Sequence, residues 1–259
     1  MGFRFDHAVI LVADLDAATA DYTALGFTVV PGGQHANGLT HNALIAFPDG
    51  SYLELLAFVD NLETLKTVEP EEPSFLSRVK ARGARGEGLI DFALSVDDAG
   101  AAIRAAGRRG LAIDGPTEGG RARPDGVQMA WQFGLPRSPL LPFILSDVTP
   151  RGLRVPEGAA RIHANDARAV RSIAVAADNL SRAIAEYSAL LGRSPLRDLG
   201  LPGAADFVLG RAYVRLLAAR EGQRGPVALT LSTGDARYAG RLDLAKTRGA
   251  PIEFMHEAG

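Results

Sequence analysis

The chain has 259 residues, 47% of them hydrophobic and 22% charged, with a formal net charge of -2, values of a globular protein with apolar mass for a sizeable core. Charge this close to neutral, with acids and bases spread along the chain, leaves no electrostatic footprint for nucleic acid or an anionic membrane. The absence of cysteine excludes disulfides, thiolate metal sites and cysteine nucleophiles.

The first residues lack a basic region followed by an apolar export core, and no run approaches the roughly 20 apolar residues of a membrane span, so a cytoplasmic protein is expected. Residues 5–12 are apolar and β-branched enough for a strand. Ala13-Asp14-Leu15-Asp16 then supplies an N-cap for a helix carrying Ala17, Ala18, Tyr22 and Leu25, which Gly26 ends. Residues 27–30 read as a short strand, Pro31-Gly32-Gly33 as a turn, and residues 34–40 as a polar loop holding His35. Residues 41–58 place two apolar runs around Pro48-Asp49-Gly50-Ser51 and read as a β-hairpin. Pairing Phe47 with Tyr52 sets Ile45 opposite Glu54 and His41 opposite Phe58, all on one face. A carboxylate among such neighbours needs an ion pair, a proton or a bound cation, because a bare buried charge costs several kcal/mol.

Residues 59–87 form a connector with an acidic, proline-flanked loop at 69–73 and a short helix around residues 75–80. The opening pattern then returns, with residues 91–98 lying ungapped on residues 7–14, followed by a second alanine-rich helix. A strand is expected at 111–113, a loop from Gly115 to Gly126, and a hairpin-like pair at 127–133 and 141–145. Residues 148–167, rich in Pro, Gly and polar residues, read as a linker between a first domain, 1–147, and a second, 168–259. His163 in that linker and His256 near the end are expected to be solvated. The pattern appears a third time, with residues 172–180 matching 7–15, and Tyr213-Val214-Arg215 matching Tyr52-Leu53-Glu54. A fourth start at 227–232 is cut short.

Repeated βαβββ units with Asp6-His7-Ala8-Val9, Gly32-Gly33-Gln34-His35, Thr40-His41-Asn42 and Tyr52-Leu53-Glu54-Leu55 resemble the glyoxalase-like branch of the vicinal oxygen chelate superfamily. Arg123-Pro124-Asp125-Gly126, Trp131 and Leu141-Pro142-Phe143-Ile144 are similar to the same branch. The resemblance implies an α+β fold in which βαβββ modules, here 3–58 and 88–147, form cupped, barrel-like mixed sheets. The C-terminal half would then be a degenerate second glyoxalase-like domain with its last module truncated. It further implies a divalent metal held by residues of each unit's first and last strands, which here are His7 and Glu54, then Asp91 and Phe143. Phe143 has no donor atom, so His7, Glu54 and Asp91 are the expected ligands. In the third unit Ser172 and Arg215 stand at these places, and that unit is expected to be metal-free.

An imidazole with carboxylates suits Fe, Mn, Zn or Ni, and such a site polarises two adjacent oxygens of a substrate. The expectation is a metal-dependent lyase, isomerase or ring-cleaving dioxygenase working on a small molecule, with Glu54 a candidate base. The alternative is a metal-free module that binds or sequesters a small molecule, with Glu54 in a salt bridge to Arg123 or Arg137. His41, on the order of 13 Å along the strand from Glu54, is a candidate for orienting substrate or carrying a proton at the mouth, and His35 for covering the cavity. Which face of the 127–133 strand is inside stays open: Met129, Trp131 and Phe133 share one face, Gln128 and Gln132 the other. Trp131, Gln128 and Phe143 are therefore candidate substrate contacts. The truncated last module leaves a strand edge that a homodimer would cover.

Overall fold

Three polar residues set the frame. Asp14, Asp98 and Asn179 occupy equivalent places in the three repeats, and each accepts a backbone N–H of the following turn, opening α1 (Leu15–Ala24), α4 (Ala99–Arg108) and α6 (Leu180–Leu191). A computed structural model describes residues 2–70, 73–196, 203–220 and 223–258, so Glu71 and Glu72 of the expected acidic loop lie outside the described residues. Around α1 the first module supplies β1 (Arg4–Leu11), β2 (Val30–His35), β3 (Thr40–Ala46) and β4 (Tyr52–Phe58). After α2 (Thr64–Thr67) and α3 (Phe75–Gly83), the second module adds β5 (Gly88–Ser95), β6 (Ile113–Ala122), β7 (Gln128–Pro136) and β8 (Phe143–Asp147) around α4.

These eight strands close a barrel in the order β1-β4-β3-β2-β6-β7-β8-β5. The parallel neighbours β1/β4 and β5/β8, joined across the antiparallel pair β1/β5, give the two modules a common plan. The second sheet contains β9 (Ala167–Ala177), β10 (Ala204–Leu209), β11 (Ala212–Ala218), β12 (Gly225–Thr233), β13 (Gly240–Arg241) and β14 (Ile252–His256), ordered β10-β11-β9-β12-β14-β13. Alternation along each strand divides the apolar residues. Ala8, Ile10, Leu53 and Leu55 point out of the barrel and share one continuous core with Ile173, Val175, Val214 and Leu229 of the second sheet. Val9, Leu11, Leu56, Ala93 and Leu145 point inward, and with Val79 of α3 they plug one end of the lumen.

The β3/β4 hairpin is one step out of the expected register. Phe47 N–H donates to Ser51 O at 2.8 Å and Gly50 N–H to Phe47 O at 2.9 Å, so the turn tip has three residues, with Gly50 taking the positive φ of +83°. Leu44 therefore lies opposite Glu54 and His41 opposite Ala57. A one-residue slip exchanges faces, so Asn42, not His41, shares the Glu54 face.

Two glycine-rich stretches expected as turn and loop are strands. Gly32 lies where a Cβ would fall 2.0 Å from Asn42 Oδ1 and 2.6 Å from Arg121 Nη1, and a Cβ on Gly33 would meet Ala122 O at 2.0 Å. The glycines thus allow β2 to approach β3 and β6 closely, with a bulge between Pro31 and Gly33. β6 likewise fills most of the expected 115–126 loop, and its pairing with β2, Gln34 with Ala122 and His35 with Arg121, closes the barrel.

The 148–167 segment contains α5 (Arg151–Arg154), whose Arg154 is buried, and His163 is 7% exposed rather than solvated. His163 lies edge-on to the rings of Phe27 and Phe47. Its Nδ1 accepts from Thr28 N–H at 3.0 Å, which leaves Nε2–H to donate to Ala46 O at 3.0 Å. His256, by contrast, is exposed.

Burial holds the His163 pKa below its ordinary 6.5. The unfolded chain therefore takes up the proton first, and the stability tied to neutral His163 is full above that value and lost as pH falls below it. His163→Ala strands a buried N–H and a buried C=O, and a loss of about 3 kcal/mol is expected at pH 7.5. The gap between parent and variant should narrow at pH 5, where the parent alone must keep this imidazole neutral; urea unfolding at the two pH values measures both.

Candidate active site

Glu54 is 5% exposed on β4, inside the barrel, and three side chains face its carboxylate. His7 Nε2, from the neighbouring β1, is 3.3 Å from Oε2. His35 Nε2, from β2, is 3.5 Å from Oε1. Asn42 Nδ2 donates to Oε1 at 2.5 Å. Burial by itself would raise the Glu54 pKa, but the hydrogen bond and charge of His7, the nearby His35 and the Asn42 bond together hold it at about 2.

Each imidazole has its far nitrogen fixed. His7 Nδ1–H donates to Asp6 at 2.7 Å, and His35 Nδ1 shares a hydrogen bond with Thr40 Oγ1 at 2.9 Å. Consecutive strand residues ordinarily point to opposite faces. The β1 register against β5 shifts between Phe5 and His7, leaving Asp6 as an extra residue whose carboxylate reaches its neighbour's ring. Burial favours the neutral ring in both cases, yet the hydrogen bond and charge of Asp6, with Glu54, raise His7, whereas burial prevails at His35 and lowers it.

Asp6 is fully buried and is balanced by α5. Arg154 donates to Asp6 Oδ1 at 2.9 Å, to Asp147 Oδ1 at 2.6 Å and to the Tyr52 hydroxyl at 2.8 Å, and Arg151 reaches Asp6 Oδ2 at 2.6 Å. Burial alone would raise Asp6; Arg154, His7 and Arg151 hold it well below the usual carboxylate range. The Tyr52 ring stacks on His7 at 4.5 Å.

Above Glu54 opens a cavity of about 370 Å³, a size suited to a small organic molecule. Trp131, Phe133, Phe143, Phe75 and Leu145 make it largely apolar, and Arg121 adds a cation. Trp131 is edge-on to His35 and Phe143 edge-on to His7. The odd face of β7 is therefore the inner one; Gln128 is exposed and does not line the cavity.

Of the expected site residues, His7, Glu54, His35, Trp131 and Phe143 meet here. His41 does not: the hairpin register turns it toward a separate depression beside α1, lined by Leu15, Asp16 and Thr19. Asp91 does not either. It lies toward the plugged end, paired with Arg78 at 3.1 Å and with Arg82, both from α3. The alternative partners of Glu54 are engaged elsewhere, Arg123 with Asp125 and Arg137 with Asp114. In the third unit Arg215 pairs with Asp206 at 2.9 Å, so a second copy of the Glu54 environment is not formed there. Asn42, Asp6, Tyr52, Arg121 and Arg154 are the site residues that sequence patterning did not assign; the Asp6-His7 adjacency, a carboxylate beside the candidate ligand, was their one visible signal.

Two imidazoles and a carboxylate are the donor kinds that first-row divalent ions take, and a histidine ligand commonly has its other nitrogen bonded to a carboxylate or hydroxyl. In donor kind and in the direction of the two Nε2 atoms the set fits such an ion. His7 and His35 address different oxygens of Glu54, and among the described residues no group of three or more His, Asp or Glu side chains is already gathered for one.

Removing one partner of a buried pair leaves an uncompensated charge. Arg154→Met is expected to cost about 3–5 kcal/mol, while Asp6→Asn combined with it restores a large part of the loss. Urea unfolding of the parent, both single variants and the double variant gives the coupling, and additive losses would contradict it.

No curated protein matches the sequence. A hypothetical protein from Staphylococcus aureus has the same fold with a TM-score of 0.81 at 16% identity, over 98% of this chain and 100% of that one. A Mn(II)-bound glyoxalase from Novosphingobium aromaticivorans aligns with a TM-score of 0.60 at 13% identity, over 99% and 82%. A variant of 4-hydroxymandelate synthase from Streptomyces coelicolor gives 0.55 at 12%, over 100% and 93%. At these identities the likeness is one of fold, and it gives the chain the glyoxalase/dioxygenase fold. The model of the glyoxalase-like domain matches residues 5–191, from β1 to the end of α6. The chain belongs to the glyoxalase-like domain family.

Proposed function

We propose that this protein is a metal-dependent enzyme acting on a small substrate with adjacent oxygens, and that His7, His35 and Glu54 hold a divalent ion of the Fe, Mn, Zn or Ni class. The observation that carries the reading is the pair of imidazoles presenting Nε2 to one buried carboxylate at 3.3 and 3.5 Å. The bound ion would polarise neighbouring substrate oxygens and so favour lyase, isomerase or ring-cleaving chemistry. A carboxylate held at about pKa 2 takes a proton poorly near neutral pH, so Glu54 suits the role of ligand better than that of base. Asp6 and Thr40 keep each ring oriented, Asn42 keeps Glu54 aimed, and the aromatic walls exclude water from whatever is bound.

A second reading has its own support. Phe143 and Asp91 stand at the second module's ligand places, one without a donor and the other taken by two arginines, which suits a metal-free binding module. Elemental analysis separates the two. Protein purified without chelator and supplied in turn with Fe²⁺, Mn²⁺, Zn²⁺ and Ni²⁺ should retain about one equivalent of one of them. His35→Ala and Glu54→Gln should each lose it while melting as cooperatively as the parent. A folded parent that retains none of the four under repletion favours the binding module.

A further inference from the structure

Arg121 lines the cavity, is 4% exposed, and meets no carboxylate at ion-pair distance among the described residues. Its hydrogen-bond partners are neutral. Nη1 donates to Asn42 Oδ1 at 2.8 Å, and Nη2 faces Met129 Sδ at 3.4 Å and Arg154 O at 3.0 Å. Nε has no acceptor. A guanidinium has five N–H donors, and three acceptors do not satisfy it.

Arg154 lines the same cavity. Arg154 is equally buried, but Asp6 and Asp147 answer its charge. Burial pushes Arg121 toward lower pKa, and the Glu54 carboxylate already faces His7, His35 and Asn42. A buried cation left in this condition is costly unless an anion arrives. The wall beside it is aromatic: Trp131 and Phe133 from β7, Phe143 from β8 and Phe75 from α3.

We infer that the cavity takes an aromatic organic acid, its carboxylate paired with Arg121 and its ring held among Trp131, Phe133 and Phe75. The inference rests on the reading that this cavity is the substrate site, and it does not require the ion. Guanidinium matches a carboxylate in shape and charge, and charge-assisted bonds in a water-poor site are the stronger kind. A polar group built for one partner also rejects the analogue that lacks it, which makes the charge of the ligand a direct readout.

The test compares benzoate and phenylacetate with benzamide and phenylacetamide by isothermal titration, on chelator-treated and metal-supplied full-length protein. The acids are expected to bind about tenfold or more tightly than their amides in both preparations. Arg121→Gln should abolish that preference, with circular dichroism and melting checked against the parent. If that variant does not fold, the acid-to-amide ratio of the parent decides by itself. Equal binding of acids and amides, binding of neither, or an acid preference that persists in folded Arg121→Gln would overturn the inference. Failure of the metal reading looks different: no ion retained, with the acid preference intact.

Discussion

The site is built around the need to keep one carboxylate, Glu54, ionised inside a barrel. Burial removes most of the solvation a carboxylate has in water, so side chains supply the compensation, and each supplier brings a requirement of its own. His7 answers Glu54 but then needs Asp6 at its other nitrogen. Asp6, wholly buried, needs Arg154 and Arg151. Those arginines lie on α5, after the last barrel strand, so the chain is used well beyond the first module to settle a charge on its fourth strand. Such a buried ionic series is a poor route to stability, because apolar packing of similar volume would serve as well or better. Its presence is accounted for by what it maintains: two imidazole nitrogens and a carboxylate facing an apolar cavity.

Duplication supplies the frame and divergence assigns the roles. Val9 pairs with Glu54 across β1/β4, and Ala93 pairs with Phe143 across β5/β8, so Phe143 holds in the second module the place that Glu54 holds in the first. The second module has turned both of its corresponding places to structural use. Phe143 becomes wall, and Asp91 anchors α3 through Arg78 and Arg82, which in turn brings Phe75 to the cavity. In the third repeat Ala174 pairs with Arg215, and the reversed charge is settled by Asp206 instead of a histidine.

The fold was legible because its signals are periodic. Alternating apolar strands, the Asp14, Asp98 and Asn179 caps and the returning β1 pattern are all local, and they survive divergence because each copy needs the same caps and the same buried face. The site was half legible. His7 and Glu54 lie on strands whose apolar runs are plain in the sequence, whereas His35 and Arg121 lie on β2 and β6, whose Gly32-Gly33 and Gly119-Gly120 read as loop when considered alone. Those glycines mark backbone approach rather than a turn: a Cβ at Gly119 would fall 2.5 Å from Trp131 Nε1. His41 failed for a narrower reason. Pro48-Asp49-Gly50 turns in three residues, and that single step decides which face each side chain of β3 takes.

Barrel closure then determines what the site can be. β2 and β6 touch through two residue pairs, and one of them is His35 with Arg121. This second seam between the modules, beyond β1/β5, therefore also sets His35 of the first in register with Arg121 of the second. The first module carries His7, His35 and Glu54, the three proposed ligands. The second carries Arg121, Trp131, Phe133 and Phe143, and so most of the wall against which a ligand is chosen. Under the proposed function, reactivity and selectivity would thus be divided between two copies of one motif. Arg121 connects them physically, because the Asn42 that accepts its hydrogen bond is the residue that donates to Glu54. An anion drawn to Arg121 would be felt at Glu54 through one intervening side chain.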